Sequence, residues 1–236
     1  MCRLFALTTT DVPDPAFMDL MPELQQLSAK HPDGWGLAWY DHEGLRRERS
    51  TASAANDPTF LAKCSEAASP IIIAHIRKAS KGGKSIVNTH PFHHGPNVFG
   101  HNGTILGMDK VMKGVPDEFR SRIEGRTDSE AMFHLLLWHI ERTGDPIEGI
   151  KEGITQLRES YVRGTTAYNF VMSDGKRLFA YRESYTRHKE YDLLVCKNNG
   201  RVMFSSQPLG QERWESVPNG TLLAVGQGHA LTRITF

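Results

Sequence analysis

Ala167-Tyr168-Asn169-Phe170-Val171-Met172-Ser173-Asp174-Gly175-Lys176-Arg177-Leu178-Phe179-Ala180-Tyr181-Arg182 reads as two strands, 167–173 and 177–182, joined by a hairpin turn at Ser173-Asp174-Gly175. Aromatic and β-branched residues fill both arms, and Asp-Gly supplies the backbone freedom a tight turn needs. Towards the C-terminus the strand pattern repeats at 191–196, 201–205, 221–225 and 230–235. Towards the N-terminus it recurs at 2–8 and at 35–40. The latter continues through Asp41-His42-Glu43-Gly44 to about residue 50, and 70–76 and 97–105 read as buried strands. Helices fall between. Asp14-Pro15 and Asp57-Pro58 look like helix starts, with Pro22 expected to break or kink the first. Thr127-Asp128-Ser129-Glu130 is a capping box ahead of the face Met132, Leu135, Leu136 and Ile140, and a second helix is expected over 146–160. Strands, then helices, then hairpin-linked strands predict an α+β fold with antiparallel sheets, not a doubly wound parallel sheet. Neither GxGxxG nor GxxxxGK[ST] occurs, so dinucleotide and P-loop readings have no motif.

The 236 residues carry 28 Lys+Arg against 27 Asp+Glu, a net charge of +1, with 39% hydrophobic and 23% charged residues. That balance excludes collagen-like, coiled-coil and disordered classes and argues against a nucleic-acid or membrane footprint. One domain over 1–236 is expected, because a chain of this size can bury one substantial core. The apolar run Leu4-Phe5-Ala6-Leu7 is too short for a signal peptide, and no stretch approaches the roughly 20 residues of a membrane span. Cys2, Cys64 and Cys196 are odd in number and widely spaced, which suits a reducing, cytoplasmic compartment.

Cys2 follows the initiator methionine. Small second residues permit methionine removal, which would leave a cysteine with a free α-amine of pKa near 7.7–8, so one residue supplies nucleophile and base. Taken alone, Cys2 reads as a small apolar residue at a strand start; the residues around it are what raise the functional reading. The segment Phe99-Gly100-His101-Asn102-Gly103-Thr104 offers oxyanion donors in the Asn102 amide and the Gly103 N–H, although Asn-Gly is also a favoured turn. Arg77 can clamp a carboxylate, and Asp128, in the first turn of a capped helix, can accept an ammonium. The loop over 78–96 is longer than a connection needs, a mild pointer to function.

Together these pieces resemble the class II glutamine amidotransferase domain of the N-terminal-nucleophile (Ntn) hydrolases, in its stand-alone YafJ/EgtC-like branch. In order they are Met1-Cys2-Arg3-Leu4, Pro32-Asp33-Gly34-Trp35-Gly36-Leu37-Ala38, Ala74-His75-Ile76-Arg77-Lys78-Ala79-Ser80 and Asn88-Thr89-His90-Pro91-Phe92. Phe99 to Ile105, Thr127 to Glu130, Asn169-Phe170 with Ser173 to Gly175, and Ser205 to Leu209 complete the set. The resemblance implies a four-layer αββα sandwich. It implies Cys2 as nucleophile, Asn102 and Gly103 as oxyanion hole, Arg77 on the glutamine α-carboxylate and Asp128 on its α-ammonium. Ser80, His90, Trp35 and Gly36 would line the pocket. The implied reaction passes through a γ-glutamyl thioester that water hydrolyses, with no cofactor, and glutamine or another γ-glutamyl amide as substrate.

Two departures bear on substrate. Lys78 and Lys81 stand where the larger amidotransferases carry an aromatic residue and a histidine. The sequence also ends where a glutaminase domain would end, so either a separate synthase subunit takes the ammonia or a γ-glutamyl amide is simply hydrolysed, as EgtC-like members do in thiol-histidine biosynthesis. A retained Met1 would block the amine. Two rival readings remain: a catalytically silent module of the same fold, and a metal-dependent hydrolase built on His90, His93 and His94 with His75 and His101, which lack HExxH spacing. Trp35, Trp39, Trp138 and Trp214 also read as core or pocket wall. Cys64, mid-helix, and Cys196, at a strand end, read as buried and inert, and Arg46-Arg47-Glu48-Arg49 as a solvated strand edge.

Overall fold

A computed structural model describes residues 2–80, 82–198, 200–226 and 229–236. The expected hairpin is present as β7 (Asn169–Ser173) and β8 (Leu178–Arg182), with Phe170 opposite Tyr181 and Ser173 opposite Leu178. Ser173 Oγ accepts the Gly175 N–H at 3.0 Å, and Asp174 accepts from Lys176 and Arg177. Around this hairpin a six-stranded sheet is completed by β5 (Phe92–His94), β6 (Asn97–Asn102), β12 (Thr221–Val225) and β13 (Leu231–Thr235), in the order β13-β12-β8-β7-β6-β5.

A second, seven-stranded sheet comprises β1 (Arg3–Thr9), β2 (Trp35–Asp41), β3 (Gly44–Ser50), β4 (Ile71–Ile76), β9 (Leu194–Asn198), β10 (Arg201–Ser205) and β11 (Glu215–Ser216). Its order is β11-β9-β10-β1-β4-β2-β3, and every pairing in both sheets is antiparallel. Side-chain alternation separates three apolar layers. Leu4, Ala6, Ile71 and Ile73 meet Val98, Val171, Ala180 and Leu223 between the sheets. The opposite faces of the same strands, Phe5, Leu7, Ile72 and Ala74, pack on α1 (Pro15–Leu27) and α2 (Thr59–Glu66). Phe99, Phe170, Met172 and Phe179 pack on α5 (Asp128–Thr143) and α6 (Pro146–Glu159). The fold is therefore the expected αββα sandwich, and β1 is continuously apolar because both of its faces are covered.

Several local expectations change. Helix α1 runs unbroken through Pro22, which lies on the exposed face, so the carbonyl deprived of its donor faces water. The strand expected over 97–105 stops at Asn102, and α3 (Met108–Met112) and α4 (Asp117–Arg120) follow, too short for a helical period to register. Thr127 caps α5 as expected, accepting the Glu130 N–H at 3.1 Å. Glu130, however, reaches past the cap to the N–H groups of Glu124 and Gly125. Cys196 sits inside β9, opposite Met203, not at a strand end, and is buried, as is Cys64 in α2. β3 is an edge strand, but Arg47 and Arg49 are not simply solvated: they donate to Pro91 O (3.3 Å) and Thr89 O (2.9 Å). No helix among the described residues is long and apolar enough to cross a membrane.

Candidate active site

Cys2 immediately precedes β1 and shares side-chain parity with Leu4 and Ala6, so it belongs to the inter-sheet layer at the open end of the sandwich. Its neighbourhood is tied down from both sides. The Leu4 N–H donates to Ser206 Oγ at 3.1 Å, and the Ser206 N–H returns to Leu4 O at 3.0 Å. The Lys78 N–H points at Cys2 Sγ across 3.4 Å. Desolvation pushes the Cys2 thiol above its ordinary value, while the Lys78 N–H and the nearby Arg77 guanidinium act in the opposite direction. A thiol held neutral in this way needs a base before it can attack.

The turn at Pro32-Asp33-Gly34 fixes the 77–79 segment. Arg77 N donates to Gly34 O (2.8 Å), Asp33 N to Arg77 O (3.1 Å), and Ala79 N to Asp33 Oδ2 (2.8 Å). Gly34 adopts φ +133°, where a Cβ would meet Ser50 O at 2.7 Å, so this turn requires glycine. Burial works to lower the Arg77 guanidinium, with Cys2 and Asp33 acting to raise it. From the other sheet, His101 anchors the end of β6. Its Nδ1 accepts from Ser129 Oγ (2.8 Å) and its Nε2 donates to Ala167 O (3.2 Å), a tautomer set by the carbonyl. Asp128 Oδ2 accepts the Ile105 N–H at 2.5 Å, binding the start of α5 to the segment after Gly103.

These elements enclose a cleft of about 280 Å³ lined by Cys2, Arg77, Ser80, His90, Gly103 and Asp128, together with Lys78, Ala79, His101, Thr127 and Ser129. Larger clefts lie elsewhere, including one lined by Trp39, Arg46, Glu48 and Glu66 and one in which Cys196 lies beside Glu212 and Arg213; the Cys196 thiol is buried and pushed above its ordinary value by burial and by Glu212. Three expected site residues are outside the lining. Trp35 faces α2, with its indole on Phe60 (5.2 Å between centroids) and its Nε1 on Asp57 (2.8 Å). Gly36 acts from behind: a Cβ there would meet His90 O at 2.0 Å, so its bareness lets the His90 segment lie against β2. Asn102 is fully buried, with Nδ2 donating to Glu190 O at 2.9 Å, which engages one of its two N–H bonds.

Among residues not expected in the Cys2 site from sequence, Asp33, Lys78 (through its backbone), His101 and Ser129 shape it. All four lie within the quoted motifs, which was the only signal for them. The five histidines do not gather around one point. His75 is buried between the sheets, donates Nε2 to His101 O (3.2 Å) and stacks on His90 at 4.1 Å, and burial pulls it down to about 3. Burial likewise holds His90 well below the ordinary range. His93 and His94 lie on the exposed edge strand β5. Among the described residues no group of three or more His, Cys, Asp or Glu side chains is placed to hold a metal ion. Met1 and Lys81 lie outside the described residues.

Comparison with known proteins accords with this geometry. A family model for class-II glutamine amidotransferases matches residues 1–235. An uncharacterised protein of Methanocaldococcus jannaschii is 33% identical over 235 residues, covering 86% of this chain and 64% of the relative. The putative glutamine amidotransferase YafJ of Escherichia coli is 28% identical over 218 residues, covering 80% and 83%. A class-II glutamine aminotransferase domain protein from Silicibacter pomeroyi superposes with a TM-score of 0.73 at 22% identity, covering 100% of this chain and 99% of that one.

Proposed function

Because the chain belongs to the class II glutamine amidotransferases, we propose that it hydrolyses glutamine or another γ-glutamyl amide with Cys2 as nucleophile. The observation that carries this reading is the meeting, in one cleft, of the Cys2 sulfur with Arg77, Asp128 and Gly103. After removal of Met1, the α-amine of Cys2 takes the thiol proton, directly or through one water. The sulfur attacks the γ-carbonyl carbon, and the carbonyl electron pair moves to oxygen. The Gly103 N–H and the second N–H of the Asn102 amide stabilise that oxyanion. The α-ammonium returns its proton to the departing nitrogen, ammonia or an amine leaves, and a γ-glutamyl thioester remains. Water, deprotonated by the same amine, attacks the thioester, releases glutamate and restores the thiol.

Arg77 provides a planar fork for the substrate α-carboxylate. Asp128 is pre-oriented by the Ile105 and Ser129 N–H groups and takes the α-ammonium. Ser80, held by the Thr104 hydroxyl at 3.2 Å, and His90, neither of whose ring nitrogens has a hydrogen-bond partner among the described residues, offer polar contacts at the cleft wall. The leaving group sets the biological role: ammonia for a separate synthase subunit, or an amine released from a γ-glutamyl amide. The test is glutamate release from glutamine and a panel of γ-glutamyl amides, with Cys2→Ala in parallel. The expected result is turnover of at least one amide that falls by about 1,000-fold or more in the variant. Comparable turnover in Cys2→Ala rejects the mechanism.

A further inference from the structure

Behind the 89–91 segment, on the side away from Cys2, lies a second cleft of about 560 Å³. It opens where the edge strands of the two sheets, β3 and β5, come together, and the start of α5 covers it. Arg47, Arg49, His93, His94, Arg122 and His134 line it. Arg47 and Arg49 alternate along β3 and so project from one face. Among the described residues each guanidinium donates to a single carbonyl, Pro91 O at 3.3 Å and Thr89 O at 2.9 Å. A guanidinium has five N–H donors, so most of this capacity is unspent. Among the described residues no carboxylate lies within 4.0 Å of either one.

The two carboxylates in the lining, Glu124 and Glu130, act on both arginines from a distance and partly offset their charge, but neither forms an ion pair with them. Glu130 is committed to the N–H groups of Glu124 and Gly125, and Glu124 is itself exposed. Burial and the neighbouring Arg47 charge together pull Arg49 down to about 10. Two adjacent, half-buried cations with spare donors are costly unless an anion joins them. His134 adds a buried Nδ1 without a partner, and its ring lies 6.1 Å from that of His94.

We infer that this cleft binds a phosphomonoester dianion, with Arg47 and Arg49 gripping the phosphoryl oxygens and the histidines lining the space for the ester group. Two planar forks projecting from one strand face into the same cleft suit a compact group with three peripheral oxygens and two charges. The same guanidinium groups hold the carbonyls on either side of His90, so occupancy reaches the amides of 89–91.

The test is titration of the ¹⁵N-labelled full chain with glycerol 3-phosphate, inorganic phosphate and malonate at a fixed ionic strength of about 0.15 M. Saturable amide shifts centred on 87–95 and 122–134, with a millimolar or tighter dissociation constant for glycerol 3-phosphate, are expected. In Arg47→Gln and Arg49→Gln the affinity should fall roughly tenfold or more each. Shifts that do not saturate, that lie elsewhere, or that malonate reproduces with equal or higher affinity overturn the inference. If a glutamine variant does not fold, the wild-type titration alone decides. Activity of the Cys2 site plays no part in this readout, so it stands apart from the reaction proposed above.

Discussion

Gly103→Ala is the sharpest probe of how the cleft is built. A Cβ on Gly103 would lie 2.1 Å from Ala167 O and 2.7 Å from His101 Nε2. Reaching an ordinary contact of 3.4 Å requires the 101–103 segment and the Ala167 carbonyl to part by about 1.3 Å. Both neighbours are constrained. Ala167 belongs to the chain leading into β7, and His101 is held on Ala167 O and on Ser129 Oγ. The shift therefore falls on the Gly103 N–H proposed to meet the oxyanion. A displacement of this size costs about 100-fold in turnover, and loss of the donor altogether up to about 1,000-fold. The overpacking itself costs about 1–3 kcal/mol of stability, a fall of roughly 2–12 °C in melting temperature for a chain of this length. The assay is steady-state glutamate release at 25 °C on the best wild-type amide, with a melting curve on the same sample. A folded Gly103→Ala variant whose kcat stays within twofold of wild type would refute the reasoning.

Arg77→Lys keeps the charge but loses the planar fork, so KM should rise about tenfold or more with kcat changed much less, as initial-rate kinetics would show. His75 and His90 are buried and neutral, with native pKa values below their unfolded values, so the unfolded state binds more protons as pH falls below about 6.5. Each should cost about 1.4 kcal/mol of stability per pH unit between roughly pH 6 and 5, above the carboxylate range, and a urea midpoint flat across that window would contradict their placement. Glu183 accepts from Arg158 Nε and from Tyr185 Oη at 3.0 Å, and from Tyr181 Oη. Glu183→Ala removes the acceptor of the buried Tyr181 hydroxyl, while Arg158 and Tyr185 can turn to water, and should cost about 1–3 kcal/mol by urea denaturation; no measurable loss would show the network contributes little.

The architecture was legible where periodicity and turn chemistry agree. The Ser173-Asp174-Gly175 hairpin, the Thr127 cap and the apolar run Ile71-Ile72-Ile73-Ala74 could each be placed from local chemistry. What stayed hidden depends on which face a strand presents to which layer. Trp35 alternates with Gly36 in β2, and parity alone cannot say which one turns towards α2. Arg47 and Arg49 looked like solvated charge because their partners, Pro91 O and Thr89 O, are about forty residues away in the chain. Pro22 looked like a helix breaker because its exposure is a tertiary property. The site residues Asp33, Lys78, His101 and Ser129 work through backbone and supporting bonds, which leave no residue-type signature of their own.

Intact-mass and peptide mapping of the processed protein after reaction with a diazo-ketone glutamine analogue tests the central claim most directly. The account predicts a chain that begins at Cys2 and carries one adduct on its sulfur, with loss of all amidase activity in proportion to labelling. A fully active protein that retains Met1, or inactivation with the label on Cys64, Cys196 or any other residue, would contradict it.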